Sequence, residues 1–164
     1  MLTWTGSDMD RQRSKVYAAE DAWALRLDAA RRGAPRAEVA GSTVLLPSEL
    51  HFGELAAAQD YAIARLEPWK VPPVRLRVRK GQAKAHWEES GVVALPIPEH
   101  GMPWAMRESV LLHELAHHLA FHLDGTAVHN RMFRRRMLEL VTHALGHEAA
   151  LVLRVDYSEQ GLTA

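Results

Sequence analysis

The chain contains no cysteine among its 164 residues. Disulfides and thiolate metal ligands are thereby excluded, so any metal site must draw on histidine and carboxylates. Excess charge is absent too. Twenty Lys and Arg residues balance twenty Asp and Glu, giving a formal net charge of zero and no global attraction to nucleic acid or anionic membrane. Long apolar runs are missing, and none approaches the ~18 residues of a membrane span. The opening Met1-Leu2-Thr3-Trp4-Thr5-Gly6-Ser7-Asp8 lacks the basic segment followed by an apolar one that marks a secretory signal. These absences predict a soluble cytoplasmic protein with no membrane partner, and a reducing cytoplasm suits a chain without thiols.

What the sequence has in quantity is histidine. Seven of its ten histidines lie between His113 and His147, a clustering that raises the odds of metal chemistry and leaves spacing to decide it. The length predicts one domain over 1–164, able to bury roughly two-thirds of its unfolded surface. Residues 1–8 are expected to be flexible.

Helical spacing of Val16, Ala19, Trp23 and Leu27 predicts a helix from about Met9 to Arg32, with Asp8 as N-cap and Gly33 and Pro35 as its stop. Thr43–Leu46 reads as a short strand, and Phe52–Leu66 as a second helix broken by Pro68, Pro72 and Pro73. From Val74 the period becomes two: Val74, Leu76 and Val78 alternate with Arg75, Arg77 and Arg79. Turns at Lys80-Gly81 and Glu88–Gly91 lead to strands near Ala83–Trp87 and Val92–Ile97. The expectation is a three-stranded antiparallel meander, with residues 44–46 joining it. Pro96 and Pro98, two apart, leave one side of the last strand without donors and mark it as an edge. Met102-Pro103-Trp104 opens a helix running to Leu123, Asp124-Gly125 ends it, His129–Leu145 forms another, and Gly146 precedes a last helical piece. The predicted class is α+β, with the small meander packed on the helix of residues 102–123 and further helices at both ends.

That helix carries His113-Glu114-Leu115-Ala116-His117, an H-E-x-x-H pattern. Four residues along a helix are one turn and only about 40° apart, so the imidazoles of His113 and His117 converge on one point. Glu114 lies about 100° from His113 and flanks that point without needing to ligate. Two neutral nitrogen donors and an adjacent carboxylate are what metal-assisted hydrolysis requires. Leu111, Leu112, Leu115, Leu119 and Leu123 cover much of the remaining circumference. The helix must therefore be buried, and unpartnered histidines there would be costly.

A zinc site that keeps one position for water needs a third protein ligand. Asp124-Gly125 reverses the chain and returns His129 towards the motif, with Phe133 and Met137 following at helical spacing to anchor that helix beneath the metal. His129 is the choice on this ground. His122, Asp124, Glu139, His143 and His147 are competing donors, although His122 lies about 180° from His113. His118, some 100° from His117, reads as a surface residue or one that supports a ligand.

The run from His113 through His117, the reversal, and then His129-Asn130-Arg131-Met132-Phe133 resembles the zincin metallopeptidases of the SprT, WLM and YgjP-like kind. The chain as a whole is similar to an actinobacterial family of H-E-x-x-H metallohydrolases. The specific match covers about Met102 to Leu140, within which the metal site falls. SprT-like sequences carry glycine after the third histidine, where this chain has Asn130. The resemblance implies a zincin fold in which an edge strand beside the motif helix holds an extended peptide. Val92–Ile97, immediately before that helix, is the expected edge, and an edge can accept a peptide as an added strand on general grounds.

Arg131, Arg134, Arg135 and Arg136 crowd one helix, and Arg75, Arg77 and Arg79 line one strand. In a neutral protein these read as solvated faces in preference to a nucleic-acid surface. The expected activity is zinc-dependent hydrolysis of peptide bonds, with Zn2+ on His113, His117 and His129 and with Glu114 as general base. Tyr157, His143 and His147 are candidates to stabilise the oxyanion. The alternatives are a zinc-dependent binding or regulatory module that cleaves nothing, and a DNA-associated protease.

Overall fold

The apolar stripe of the first helix and the wholly buried strand that precedes the motif helix organise the molecule. A computed structural model describes residues 10–79, 84–96 and 106–164. Among these residues there are five α-helices and two small sheets, an α+β arrangement. In chain order they are α1 (Arg13–Arg31), β1 (Arg36–Val39), β2 (Ser42–Leu45), α2 (Leu55–Leu66), β3 (Arg75–Arg79), β4 (His86–Glu88), β5 (Val92–Pro96), α3 (Glu108–Asp124), α4 (Arg131–Leu145) and α5 (His147–Glu159). The flexibility expected at residues 1–8, the cap at Asp8, the turn at Lys80-Gly81 and the start at Met102–Trp104 lie outside the described residues. A helix unbroken from that start to Leu123 is corrected, because Arg107 is extended, pairs with His51 and caps α3 at Glu108. No described helix is long and apolar enough to cross a membrane.

α1 buries Val16, Ala19, Trp23, Leu27 and Ala30 along one side. Each fully buried large side chain of this kind contributes about 1.5–3 kcal/mol before entropy is counted. Trp23 also donates its indole N–H to the carbonyl of Ala149, 3.1 Å away, which ties the first helix to α5. α3 is apolar nearly all round, with Leu111, Leu112, Leu115, Ala116 and Leu119 fully enclosed. It packs against α4, with Phe133 and Met137 of α4 buried in the shared core. Gly125 ends α3 at φ +68°, a left-handed conformation that costs glycine little, and so starts the chain reversal.

The expected antiparallel meander is not what forms. The three-stranded sheet has the order β3-β5-β4, with β5 parallel to β3 and antiparallel to β4. β5 is therefore the central strand, and the edge assigned to Val92–Ile97 is corrected to β4; Ile97 itself lies outside the described residues. The cause is burial. All five residues of β5 are buried, so both of its faces need cover and both of its backbone edges need partners. β3 carries alternating arginines and suits the outside. Pro96 is tolerated because it stands at the end of β5, opposite Arg79. Residues 44–46 do not join this sheet either. β2 instead pairs with β1, a strand the hydrophobic pattern does not reveal. Their hairpin turns at Ala40 and Gly41, both with positive φ, as a tight two-residue turn requires.

Candidate metal centre

His113 and His117 sit one turn apart in the middle of α3, and His129 is delivered by the loop between α3 and α4. The loop is held at its far end by Asn130, whose side-chain oxygen accepts the backbone N–H groups of Met132 and Phe133 and caps α4. All three imidazoles are buried. Their Nε2 atoms point at one another, with His117 to His129 at 3.1 Å and His129 to His113 at 3.2 Å. Three nitrogens held tetrahedrally at about 2.0–2.1 Å from one zinc would stand roughly 3.3 Å apart, so the donor spacing fits. No fourth carboxylate or imidazole joins the group among the described residues. A metal held there would keep a position for water or substrate.

The far sides of the rings are as informative. His113 donates from Nδ1 to Glu20 at 2.5 Å, and Glu20 also accepts the hydroxyl of Tyr157 at 2.7 Å. His129 donates from Nδ1 to Asp10 at 2.7 Å, while its backbone N–H is held by the other oxygen of the same carboxylate. Each carboxylate fixes the tautomer that leaves Nε2 as a lone pair aimed at the common centre. His117 lacks such a support among the described residues, its Nδ1 being buried without a partner. It is positioned by packing instead: Trp87 stacks on it at 5.9 Å, and Phe133 lies 4.5 Å away on another side. Phe133 in fact touches all three rings and forms the floor of the site.

The electrostatics follow from this enclosure. Burial, reinforced by the neighbouring imidazoles, pushes His117 well below the ordinary histidine value. Burial also lowers His129, against a partial counterweight from Asp10. Burial opposes a charge on His113 as well, but Glu20 outweighs it and the net direction is upward. Glu114 is buried and raised above the usual carboxylate range, chiefly by desolvation, although His113 and a hydrogen bond from the backbone N–H of Trp87 work the other way.

Glu114, His117 and His129 open onto a cleft of about 770 Å³. One wall of the cleft is the continuous stretch from Lys84 to Glu89, which contains β4. No protein-family model, curated protein or solved structure matches the chain.

The structure thus brings together all four residues expected at the site and leaves the competing donors out. His122, His143 and His147 are exposed, Asp124 pairs with Arg136, and Glu139 pairs with Arg135 and Arg136. Tyr157 stands behind Glu20 and away from the cleft, so the three oxyanion candidates are corrected as a group. The tyrosine beside the centre is Tyr17, whose ring stacks on His113 at 5.1 Å. His118 is not a surface residue. It is fully buried, accepting the indole N–H of Trp87 and bonding the carbonyl of Pro72 from its other nitrogen.

Arg134 is not solvated either. It is buried and donates to the carbonyls of His129 and Thr163 and to the side chain of Gln12, bracing the loop that presents His129. Arg77 pairs with Glu88, and Arg136 makes a two-pronged contact with Asp124, which removes further charge from any basic surface. A second group, Asp28, Glu49 and His51, has donors within metal range, but Arg107 already pairs with both carboxylates.

Glu20, Asp10 and Tyr17 are the members of the site that sequence reasoning misses. For Glu20 a signal exists, since it falls on the buried side of α1 with Val16, Trp23 and Leu27. A carboxylate in an apolar stripe asks for a partner.

Proposed function

We propose that this chain is a zinc-dependent hydrolase that cuts peptide bonds. The observation that carries the reading is the convergence of three buried Nε2 lone pairs, two of them backed by carboxylates, beside a buried glutamate that is not itself a ligand. A purely structural site closes its fourth position with protein and has no use for a base. Zinc bound there supplies Lewis acidity, making a water more acidic and a carbonyl oxygen more electrophilic.

The remaining chemistry belongs to the chain. Glu114 accepts a proton as the water oxygen bonds to the amide carbon, and returns that proton to the nitrogen as the C–N bond breaks. Burial raises its pKa, which makes it a stronger base than an exposed carboxylate. Tyr17 offers a hydroxyl for the negative charge that develops on the carbonyl oxygen. Burial, then the charge of Glu114, pushes its pKa up to about 12, so it is a proton donor across the working range. An extended peptide would lie along the open edge of β4, which has one strand neighbour and borders the cleft. A cytoplasmic setting fits the absence of cysteine.

The test is Glu114→Gln. Zinc content and melting temperature should match wild type, while cleavage of a peptide pool falls by about 10⁴-fold or more, since one residue serves both proton transfers. Undiminished turnover by the zinc-loaded variant would refute the mechanism. A wild type that binds zinc and cleaves nothing would favour a binding module instead.

A further inference from the structure

Next to the cleft lies a smaller cavity of about 120 Å³. Tyr17, Trp23 and Ala24 of α1 form one side of it, Ala85 and Val110 another, and His113 and Glu114 the inner wall. Two of its polar neighbours are committed elsewhere, and the Ser109 hydroxyl and the Glu114 carboxylate are polar groups left on its wall. Both oxygens of Glu20 are taken, one by His113 and one by Tyr157, and the Trp23 indole N–H is given to Ala149. The charged groups at its border, Asp21 and Lys84, are exposed and stand at the mouth. An occupant therefore meets a largely apolar wall whose small members, Ala24 and Ala85, leave the space open.

The two cavities share Tyr17, Lys84, Ala85 and Glu114. A chain lying in the cleft can thus send one side chain into the smaller cavity while its backbone passes Glu114. Size sets what fits. A cavity of roughly 150 Å³ takes a benzene ring, so one somewhat smaller takes an aliphatic side chain and excludes an indole. A charged side chain would lose its hydration against a lining that is mostly apolar, and an acidic one would also face Glu114 and Glu20.

We infer that this cavity is a specificity pocket for a substrate residue flanking the bond that is cut, and that it selects an aliphatic side chain of leucine or methionine size. The inference rests on the peptidase reading and deepens it by naming the substrate class. Burying such a side chain is worth about tenfold or more in kcat/KM over glycine at the same position.

Two measurements test it on the full zinc-loaded chain. In an unbiased peptide pool read by mass spectrometry, leucine or methionine should be enriched about tenfold or more at one position beside the cut. Ala24→Leu, which fills the pocket from its α1 side, should reverse that ranking towards glycine and alanine. A pool with no preference there, a preference for lysine or aspartate, or a ranking unchanged by Ala24→Leu would overturn the pocket. The second measurement needs no turnover. Calorimetry compares acetohydroxamate with a hydroxamate bearing an isobutyl side chain. The isobutyl compound should bind about tenfold or more tightly to wild type, and the advantage should vanish in Ala24→Leu. Equal affinities would sink the pocket, whereas discrimination by a protein that cleaves no peptide would sink only the hydrolase reading.

Discussion

Glu20 accepts a hydrogen bond from Nδ1 of His113 at 2.5 Å across 93 residues of sequence, and its other oxygen holds Tyr157 of α5. One carboxylate on the first helix thus joins an imidazole of the candidate metal centre to the last helix. Asp10 does the same for His129, gripping both ring and backbone. Neither residue faces the common centre, yet each sets which nitrogen of its histidine is free.

Glu20→Gln and Asp10→Asn should each therefore weaken zinc binding by about 10- to 100-fold while keeping one zinc per chain at saturation. Competition with a chromophoric chelator measures this directly. Wild-type affinity in both variants would show that the carboxylates are structural only.

His129→Ala should lose zinc affinity far more than His122→Ala or His143→Ala. His129 brings its Nε2 within 3.2 Å of the other two ring nitrogens, whereas His122 and His143 are exposed elsewhere. Metal stoichiometry by atomic spectroscopy on the four proteins decides it. A comparable loss in His122→Ala would mean that the loop after α3 does not present the third ligand. Binding to the wild type should also weaken below about pH 6, because protons compete for the same nitrogens.

Tyr17→Phe should lower kcat by about 10²–10³-fold with little change in zinc content, as expected for loss of one hydrogen-bond donor to a developing oxyanion. The ring remains and can still stack on His113. Steady-state kinetics on a peptide substrate check this, and an unchanged kcat would remove Tyr17 from the reaction.

All three tyrosines of the chain are shifted upward, Tyr17 to about 12 by burial and the charge of Glu114. Tyr61 is raised further by burial and its bond to Glu108, and Tyr157 is raised by burial and Glu20. The neutral phenols are favoured in the fold, so this contribution to stability is fully present below about pH 10, the unfolded value, and is lost as pH rises past it. Absorbance at 295 nm should show no tyrosine ionising near pH 10, and melting temperatures should fall steadily above that pH. A tyrosine titrating at its ordinary value in the folded protein would contradict the burial described.

Much of this was legible in the linear pattern because helices are local. The recurrence of Val16, Ala19, Trp23 and Leu27 marks α1, and the leucines around His113 mark α3 as enclosed. The four-residue step from His113 to His117 makes their rings converge whatever surrounds them. Even the return of His129 follows from a glycine that stops one helix and a short loop that starts the next.

Strand pairing was a different matter. The alternation in β3 and the prolines after Leu95 suggested a meander ending in an edge, yet β5 lies in the middle. The continuous run Val92-Val93-Ala94-Leu95 was the better guide, since a strand buried on both faces belongs inside a sheet. The same correction moves the open edge beside the cleft from β5 to β4.

By itself the sequence determined the helices, the pair His113 and His117, and the glutamate beside them, because each depends on residues within a turn or two of one another. Only the tertiary structure decided that Asp10 and Glu20 support the histidines, that Tyr17 and not Tyr157 borders the site, and that Ala24 and Ala85 leave a pocket beside Glu114. Those relationships join residues far apart in the chain, and they form when α1 packs its apolar stripe against the core and carries its carboxylate and its tyrosine to the three histidines.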